Sequence, residues 1–266
     1  MRRPKSSKLL ALWKLGLFSG GSLVILSCYL LCRLAARGRS RKLQVSAQWT
    51  RRWAAFGTWC AGYRVLVRGD LPPPGVLLTP MHLGYVDILV IGSLVPTFFV
   101  AKAEVSRWPL FGLLAGAGDH VFATRRRTKE MRETAKAIAE RIEAGARVCI
   151  FLEGTSGGGD KVLPFRSSFL QPGVESGAVA IPAACRWFSH TAGFDPSEDV
   201  AYWGDHSFLP HVLNHLGHRR LGVEVVFGDP YPLAGRNRKE AATHLHECTA
   251  GLLASLTPDP DPPPGC

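Results

Sequence analysis

His82 and Asp87 stand five residues apart, an imidazole and a carboxylate close enough in sequence to act as a pair. On a continuous α-helix that separation puts two side chains on different faces. Where the chain passes from a loop into a helix, the carboxylate can instead fold back onto one ring nitrogen and orient the other as a base. Such a pair takes the proton from an alcohol, and no serine or cysteine nucleophile is needed when that alcohol attacks directly. The same spacing recurs at His190 and Asp195, in the polar stretch Ser-His-Thr-Ala-Gly-Phe-Asp-Pro with no strand-like run before it. In a chain with nine histidines one chance copy is expected, and this one reads as a decoy.

Two further polar clusters accompany the pair. One is Thr124-Arg125-Arg126-Arg127, the other Glu153-Gly154-Thr155-Ser156. Gly154-Thr155-Ser156-Gly157-Gly158 also fits a G-x-S-x-G nucleophile elbow, which would make Ser156 the nucleophile of a serine esterase. That elbow requires a helix immediately after the serine, whereas this chain continues through a glycine-rich loop. His206, His211, His215 and His218 invite a metal reading, since the last three would share a helix face. No ligand-type residue other than Asp205 joins that spacing and no HExxH is present, so no metal is expected.

Strands and helices alternate around these clusters. Strands are expected at Arg64–Arg68, Val76–Thr79, Phe98–Ala101, His120–Ala123, Val148–Leu152, Ala178–Ala184 and Gly222–Phe227. Helices are expected near Val86–Leu94, Val105–Leu114, 128–144 and 237–256. In the third of these Met131, Ala135, Ile138 and Ile142 share one face, with Gly145 as its stop. The order predicts an α/β fold with a mostly parallel central sheet flanked by helices. Ligands of such sheets bind beyond the carboxyl ends of the strands. His82 with Asp87, the arginines and Glu153 each follow one strand, so parallel strands would gather all three clusters at one edge.

The N-terminal part obeys different rules. Residues 1–70 hold 14 of the 32 Lys and Arg and a single acid, Asp70, whereas the remaining 196 residues carry a balance of −2. The net charge of +11 therefore belongs to an arm and not to the folded body. Leu15–Cys32 is an uncharged run of 18 residues, flanked by five basic residues on each side. As a helix it would be roughly 27 Å long, barely enough to span a bilayer. Equal flanks give no orientation, and a segment that enters and leaves on the same face fits as well as a span. A cleaved signal peptide is the rival reading, disfavoured by Arg33 just ahead of the small-residue site. Residues 43–63 place Trp49, Trp53, Phe56, Cys60 and Tyr63 on one side of a helix and Arg51 and Arg52 on another. That pattern suits a helix in the headgroup region, or one packing its stripe on the core. An anionic lipid surface, not nucleic acid, is the expected partner of the arm. Seven scattered cysteines without a CxxC pair read as reduced thiols facing the cytoplasm.

From about Leu66 to Leu253 the chain resembles the PlsC-type glycerolipid acyltransferases, the family of lysophosphatidic acid acyltransferases. Four blocks stand in family order: Met81-His82-Leu-Gly-Tyr-Val-Asp87, Val121-Phe-Ala-Thr-Arg125, Phe151-Leu-Glu153-Gly154-Thr155-Ser156 and Ile181-Pro182. Ala101-Lys102-Ala-Glu104 and Trp108-Pro109-Leu-Phe-Gly112 are also familiar from the family. The resemblance implies His82 as the base on the acceptor hydroxyl and Asp87 as its orienting partner. It implies Arg125 as a ligand of the acceptor's phosphate or other polar head, with Glu153, Gly154, Thr155 and Lys102 shaping the same substrate pocket. The donor would be a fatty acyl thioester of coenzyme A or acyl carrier protein, a co-substrate, so that no cofactor is needed. A membrane-associated N-terminal helical pair also fits the family, with the catalytic domain facing the cytoplasm.

The departures bear on the acceptor. Met81 replaces the usual Asn, Leu152 the usual Pro, and Ser156 stands where glycerol-phosphate enzymes often carry an Arg suited to phosphate. Arg166 is a candidate for a compensating charge. The stretch Glu153–Ser168 and the stretch Tyr202-Trp-Gly-Asp205…Phe208-Leu-Pro-His211 are closer to a bacterial subgroup that includes lyso-ornithine lipid acyltransferases. The expected protein is a membrane-associated O-acyltransferase with helices over 1–63, an α/β domain over 64–256 and a disordered tail over 257–266. Its first expected acceptor is 1-acylglycerol-3-phosphate, giving phosphatidic acid, with lyso-ornithine lipid as the alternative. A serine esterase and a non-catalytic lipid-binding protein are the readings from other classes; mere binding does not require a base.

Overall fold

The computed structural model describes residues 6–102, 116–123, 128–191 and 193–256, and the side chains of these except at 102 and 128–130. The helix expected near 105–114, the Glu104 and Trp108–Gly112 block, Arg125 and the tail over 257–266 lie outside the described residues.

Two helices precede the sheet, α1 (Lys8–Ala35) and α2 (Arg39–Ala61). α1 is longer than the uncharged run because Ser7 caps it, its hydroxyl accepting from the Leu10 N–H, and because Lys14 lies inside it. Among the described residues it is the one helix long and apolar enough to cross a membrane. The aromatic stripe of α2 turns toward α1: Phe18 meets the rings of Trp53 and Phe56, and the Trp53 indole donates to Ser22 Oγ at 3.0 Å. Small residues on the opposite face of α2 let it close on the α/β body, where a Cβ added to Gly92 would meet Ala54 at 2.9 Å.

Both ends of α1 are tied to that body. Near its start the buried Lys14 donates from Nζ to the carbonyls of Ala61 and His218, each at 2.7 Å. Near its end Arg33 pairs with Asp119 at 2.7 Å, and Ser46 of α2 donates to the same carboxylate at 2.7 Å. The side of α1 turned away from the body exposes Leu9, Leu12, Trp13, Leu23, Val24, Leu31 and Leu34.

The sheet follows as β1 (Tyr63–Arg68), β2 (Leu77–Pro80), β3 (Thr97–Lys102), β4 (Val121–Ala123), β5 (Arg147–Cys149), β6 (Val179–Phe188), β7 (Leu221–Phe227) and β8 (Tyr231–Pro232). Their order across it is β1-β7-β6-β2-β5-β3-β4, with β8 beside β6. From β6 to β4 all pairings are parallel; β7 turns the direction by pairing antiparallel with β6, and β1 runs parallel to β7. The expected mostly parallel sheet is thus present, and the carboxyl ends of β2, β4 and β5 share one edge. Strand limits moved where loops do the work. β5 stops at Cys149, which leaves Phe151 and Glu153 in a turn, and β6 runs on to Phe188.

The helices that cover the sheet are α3 (Val86–Leu94), α4 (Thr128–Glu143), α5 (Ser167–Glu175), α6 (Pro196–Asp199), α7 (Phe208–Leu216) and α8 (Arg238–Ser255). Gly145 ends α4 with φ at +81°, the left-handed stop its position implied. α5 and α6 are absent from the expected elements, because Pro172 interrupts the apolar pattern of one and the other is a single short turn; α7 carries His211 and His215 but ends before His218. The core consists of distinct buried clusters, one containing Leu77, Ile138 and Leu170 and another containing Met81, Leu83 and Val223.

Candidate active site

His82 lies in the five-residue loop, Met81–Tyr85, that follows β2, and Asp87 lies in the first turn of α3. The loop lets the carboxylate fold back as the spacing required. Asp87 Oδ2 receives the His82 ring nitrogen Nδ1 at 2.7 Å, the Leu83 N–H at 2.7 Å and the Gly84 N–H at 3.1 Å. A carboxylate oxygen only accepts here, so Nδ1 carries the ring proton and Nε2 keeps its lone pair. The turn depends on Gly84, whose φ is +136° and where a Cβ would stand 2.9 Å from that of Tyr202.

The Glu153 turn completes the setting of the histidine. The Phe151 ring stacks on His82 with centroids 3.9 Å apart. Glu153 Oε1 accepts from the His82 N–H at 3.0 Å, and the Gly157 N–H donates to the His82 carbonyl at 2.8 Å. The histidine backbone is therefore held on both sides by the third sequence block and the glycine that follows it. Burial pushes the Glu153 carboxyl up to about 8, against the opposing effect of its bonds from the backbone of His82 and Leu163. Gly154, at φ +71°, makes the turn possible and lies against Phe169, where no Cβ would fit.

A cavity of about 350 Å³ opens beside His82, lined by Gly154, Thr155 and Ser156 and by the aromatic rings of Tyr85, Phe99, Phe151, Tyr202 and Phe208. A second cavity of about 170 Å³ lies behind it between α1 and α2, walled by Ile25, Leu26, Trp49 and Trp53. Ile88, Phe99 and Ala101 line both, so the two cavities adjoin across these three side chains. Residues 43–63 thus serve two surfaces at once, packing on α1 and walling the second cavity.

The remaining sequence candidates fall as follows. Lys102 ends β3 opposite Ala123 in the register, and its side chain is outside the described residues, as is all of Arg125, two residues beyond the cavity-lining Ala123. Arg166 donates its backbone N–H to the Leu152 carbonyl at 2.8 Å and lays its stem beside Gly154, while the residue as a whole is exposed. Ser156 has no helix after it until Ser167, and its hydroxyl donates to the Tyr202 carbonyl instead of meeting an imidazole. Asp195 caps α6 by accepting from the Ser197 N–H, a structural task separate from His190. The histidines of this region have protein neighbours: His211 Nδ1 meets the Tyr85 hydroxyl at 3.0 Å, His215 meets Tyr63 and the Asp199 carbonyl, and His218, just beyond α7, lies 3.5 Å from the Asp199 carboxylate. Among the described residues no group of three or more His, Cys, Asp or Glu could hold a metal.

Sequence reasoning left Tyr85, Phe99 and Phe208 out of the site. Tyr85 and Phe208 stand within the quoted family and subgroup stretches, but aromatic character alone gives none of the three a role, since core residues share it.

The acyltransferase family model matches residues 64–186. A lyso-ornithine lipid O-acyltransferase of Pseudomonas aeruginosa is 31% identical over 198 residues, covering 74% of this chain and 75% of that protein. A 1-acyl-sn-glycerol-3-phosphate acyltransferase of Neisseria meningitidis is 29% identical over 119 residues, covering 45% and 47%. In fold the chain is similar to the crystal structure of the 1-acyl-sn-glycerophosphate acyltransferase PlsC of Thermotoga maritima. The TM-score is 0.66 at 18% identity, over 94% of this chain and 96% of that one.

Proposed function

We propose, for a chain that belongs to the PlsC-type glycerolipid acyltransferases and is a lysolipid O-acyltransferase, that the acceptor is lyso-ornithine lipid and the donor an acyl thioester. His82 Nε2 takes the proton of the acceptor hydroxyl as that oxygen attacks the thioester carbonyl. Asp87 keeps the imidazole in the required tautomer and stabilises the imidazolium that forms. Collapse of the tetrahedral intermediate breaks the carbon–sulfur bond, and the departing thiolate takes the proton back from Nε2. The acyl chain lies along an apolar route past Phe99 toward α1 and α2. Coenzyme A or acyl carrier protein carries it in.

The observation that carries the acceptor assignment is the bond from Ser156 Oγ to the Tyr202 carbonyl. The position at which the resemblance leads one to expect a phosphate-pairing Arg is occupied by a short side chain already committed to the protein. The longer match to the Pseudomonas aeruginosa relative supports the same assignment. The second reading, 1-acylglycerol-3-phosphate, is favoured by the Neisseria meningitidis relative.

The enzyme sits on the membrane through α1 and α2. The ties of Lys14 and of Arg33 to the body favour a helix embedded along one face of the bilayer over one that crosses it. The catalytic domain then stays on the side of its acyl donor, the cytoplasm.

Membranes containing the protein, supplied with labelled acyl-CoA or acyl carrier protein donors, are to be offered both lysolipids in parallel. Transfer to lyso-ornithine lipid that disappears in His82→Ala is the expected result. Transfer confined to lysophosphatidic acid would replace the first acceptor with the second, and transfer to neither would overturn both.

A further inference from the structure

One wall of the histidine cavity is made of three aromatic rings and of segments held in place by bonds to the catalytic loops. The centroids of Tyr85 and Phe208 are 5.5 Å apart, those of Tyr202 and Phe208 5.8 Å, and those of Tyr85 and Tyr202 6.0 Å. All three rings line the cavity. The Tyr85 hydroxyl is turned onto His211, which itself lies against the Tyr202 ring at 5.5 Å. Tyr202 is fixed through its backbone: its N–H donates to the Leu83 carbonyl at 2.7 Å, and its carbonyl accepts from Ser156. These bonds join the wall to the His82 loop on one side and to the Glu153 turn on the other.

The wall has two properties that point to a ligand. Among the described residues no Lys, Arg, Asp or Glu side chain lines the cavity, and this wall presents aromatic rings to it. Ring faces are electronegative; they attract a nearby cation and repel an anion. Tyr202 and Phe208 also lie beyond residue 186, where the match to the broad acyltransferase family ends. They belong to the part of the chain in which a subgroup can differ from the family.

We propose that Tyr85, Tyr202 and Phe208 form a subsite that receives the ammonium group of the acceptor's headgroup against their ring faces. This rests on the acceptor reading above, since the side-chain amine of ornithine is a cation at neutral pH and lysophosphatidic acid has none. The Ser156–Tyr202 bond then does two things: it removes a position for a phosphate ligand and it sets a ring for the amine.

The test uses the full-length protein in mixed micelles with three acceptors: lyso-ornithine lipid, its side-chain N-acetyl derivative, and its N-trimethyl derivative. Acetylation removes the charge, whereas trimethylation keeps it and adds more bulk. Wild-type enzyme is expected to show a KM about tenfold higher for the acetylated form only. Tyr202→Leu and Phe208→Leu are expected to raise KM for lyso-ornithine lipid about tenfold with kcat within about twofold, and to erase the preference for charge. Tyr202→Phe, which keeps the ring face, should bring KM back to within about threefold of wild type. Equal KM values of the wild type for the charged and acetylated acceptors would overturn the subsite while leaving the acceptor reading intact. So would leucine variants that lose kcat on every acceptor alike. Wild-type transfer to lysophosphatidic acid alone would overturn both. The comparison of acceptors on the wild type needs no variant to fold.

Discussion

The backbone N–H of His82 donates to Glu153 Oε1 across 3.0 Å, joining two residues 71 positions apart in the chain. The base of the reaction is therefore held at two levels. Asp87 orients its ring, and Glu153 with Gly157 fixes the backbone from which the ring projects. Blocks that look separate in the sequence meet here because β2 and β5 are adjacent and parallel.

The ring contact is the more sensitive to charge. Asp87→Asn keeps the size of the side chain but weakens acceptance of three N–H donors on one oxygen. Transfer is expected to fall about 10³-fold in kcat with acceptor KM changed far less, as measured by initial rates on saturating donor. An equal rise in KM would mean that Asp87 acts on acceptor binding.

Glu153 gives the fold a pH signature. Its carboxyl holds its proton up to about 8 in the folded state and to about 4.5 in the unfolded chain, so stability falls as pH rises from about 4.5 through about 8. His215 and His120 act oppositely: burial lowers them to about 3 and about 4, and their contribution is lost as pH falls below about 6.5. Thermal unfolding should show greatest stability near pH 6.5 on account of these groups, with Glu153→Gln removing the alkaline slope. A wild-type slope that persists in the glutamine variant would assign it to another group.

Ser156 should not react as a nucleophile. A fluorophosphonate is expected to leave the protein unlabelled, and Ser156→Ala should retain more than about a tenth of the transfer rate, since only one hydrogen bond to Tyr202 is lost. Stoichiometric labelling at Ser156 in a mass spectrum would install the esterase reading instead.

Lys14 carries the attachment of α1. Replacing it with Met leaves the buried carbonyls of Ala61 and His218 without their donor, at a cost of about 1–3 kcal/mol. Proteolysis in detergent should then cut near the junction of α1 and α2 sooner than in the wild type. Unchanged cleavage would show that the Arg33–Asp119 tie holds the helix alone.

The acyl route predicts a change in chain length. Ile25→Trp fills the rear cavity of about 170 Å³, so long acyl donors should lose rate while short ones keep it. Competition between donors of graded length reads the shift directly, and a uniform loss across lengths would place the chain elsewhere.

The sequence by itself determined the α/β class, the basic apolar arm and the three polar clusters at strand ends. Strand alternation and helix periodicity are local properties, as is the loop between His82 and Asp87 that frees a carboxylate to turn back. It also placed Ser156 as a departure without revealing what that residue does. Only tertiary structure decided that Ser156 binds the Tyr202 carbonyl, that Tyr85 leans on His211, and that Ile88, Phe99 and Ala101 line two cavities. The physical reason is separation. Ser156 and Tyr202 are 46 residues apart and Tyr85 and His211 are 126 apart, so no local period connects them. Their meeting follows from strand order, in which β6 lies against β2 and carries α6 and α7 over the end of the His82 loop. Aromatic residues read alike in a core and in a cavity wall, and only tertiary packing puts Tyr85 and Phe208 on the cavity.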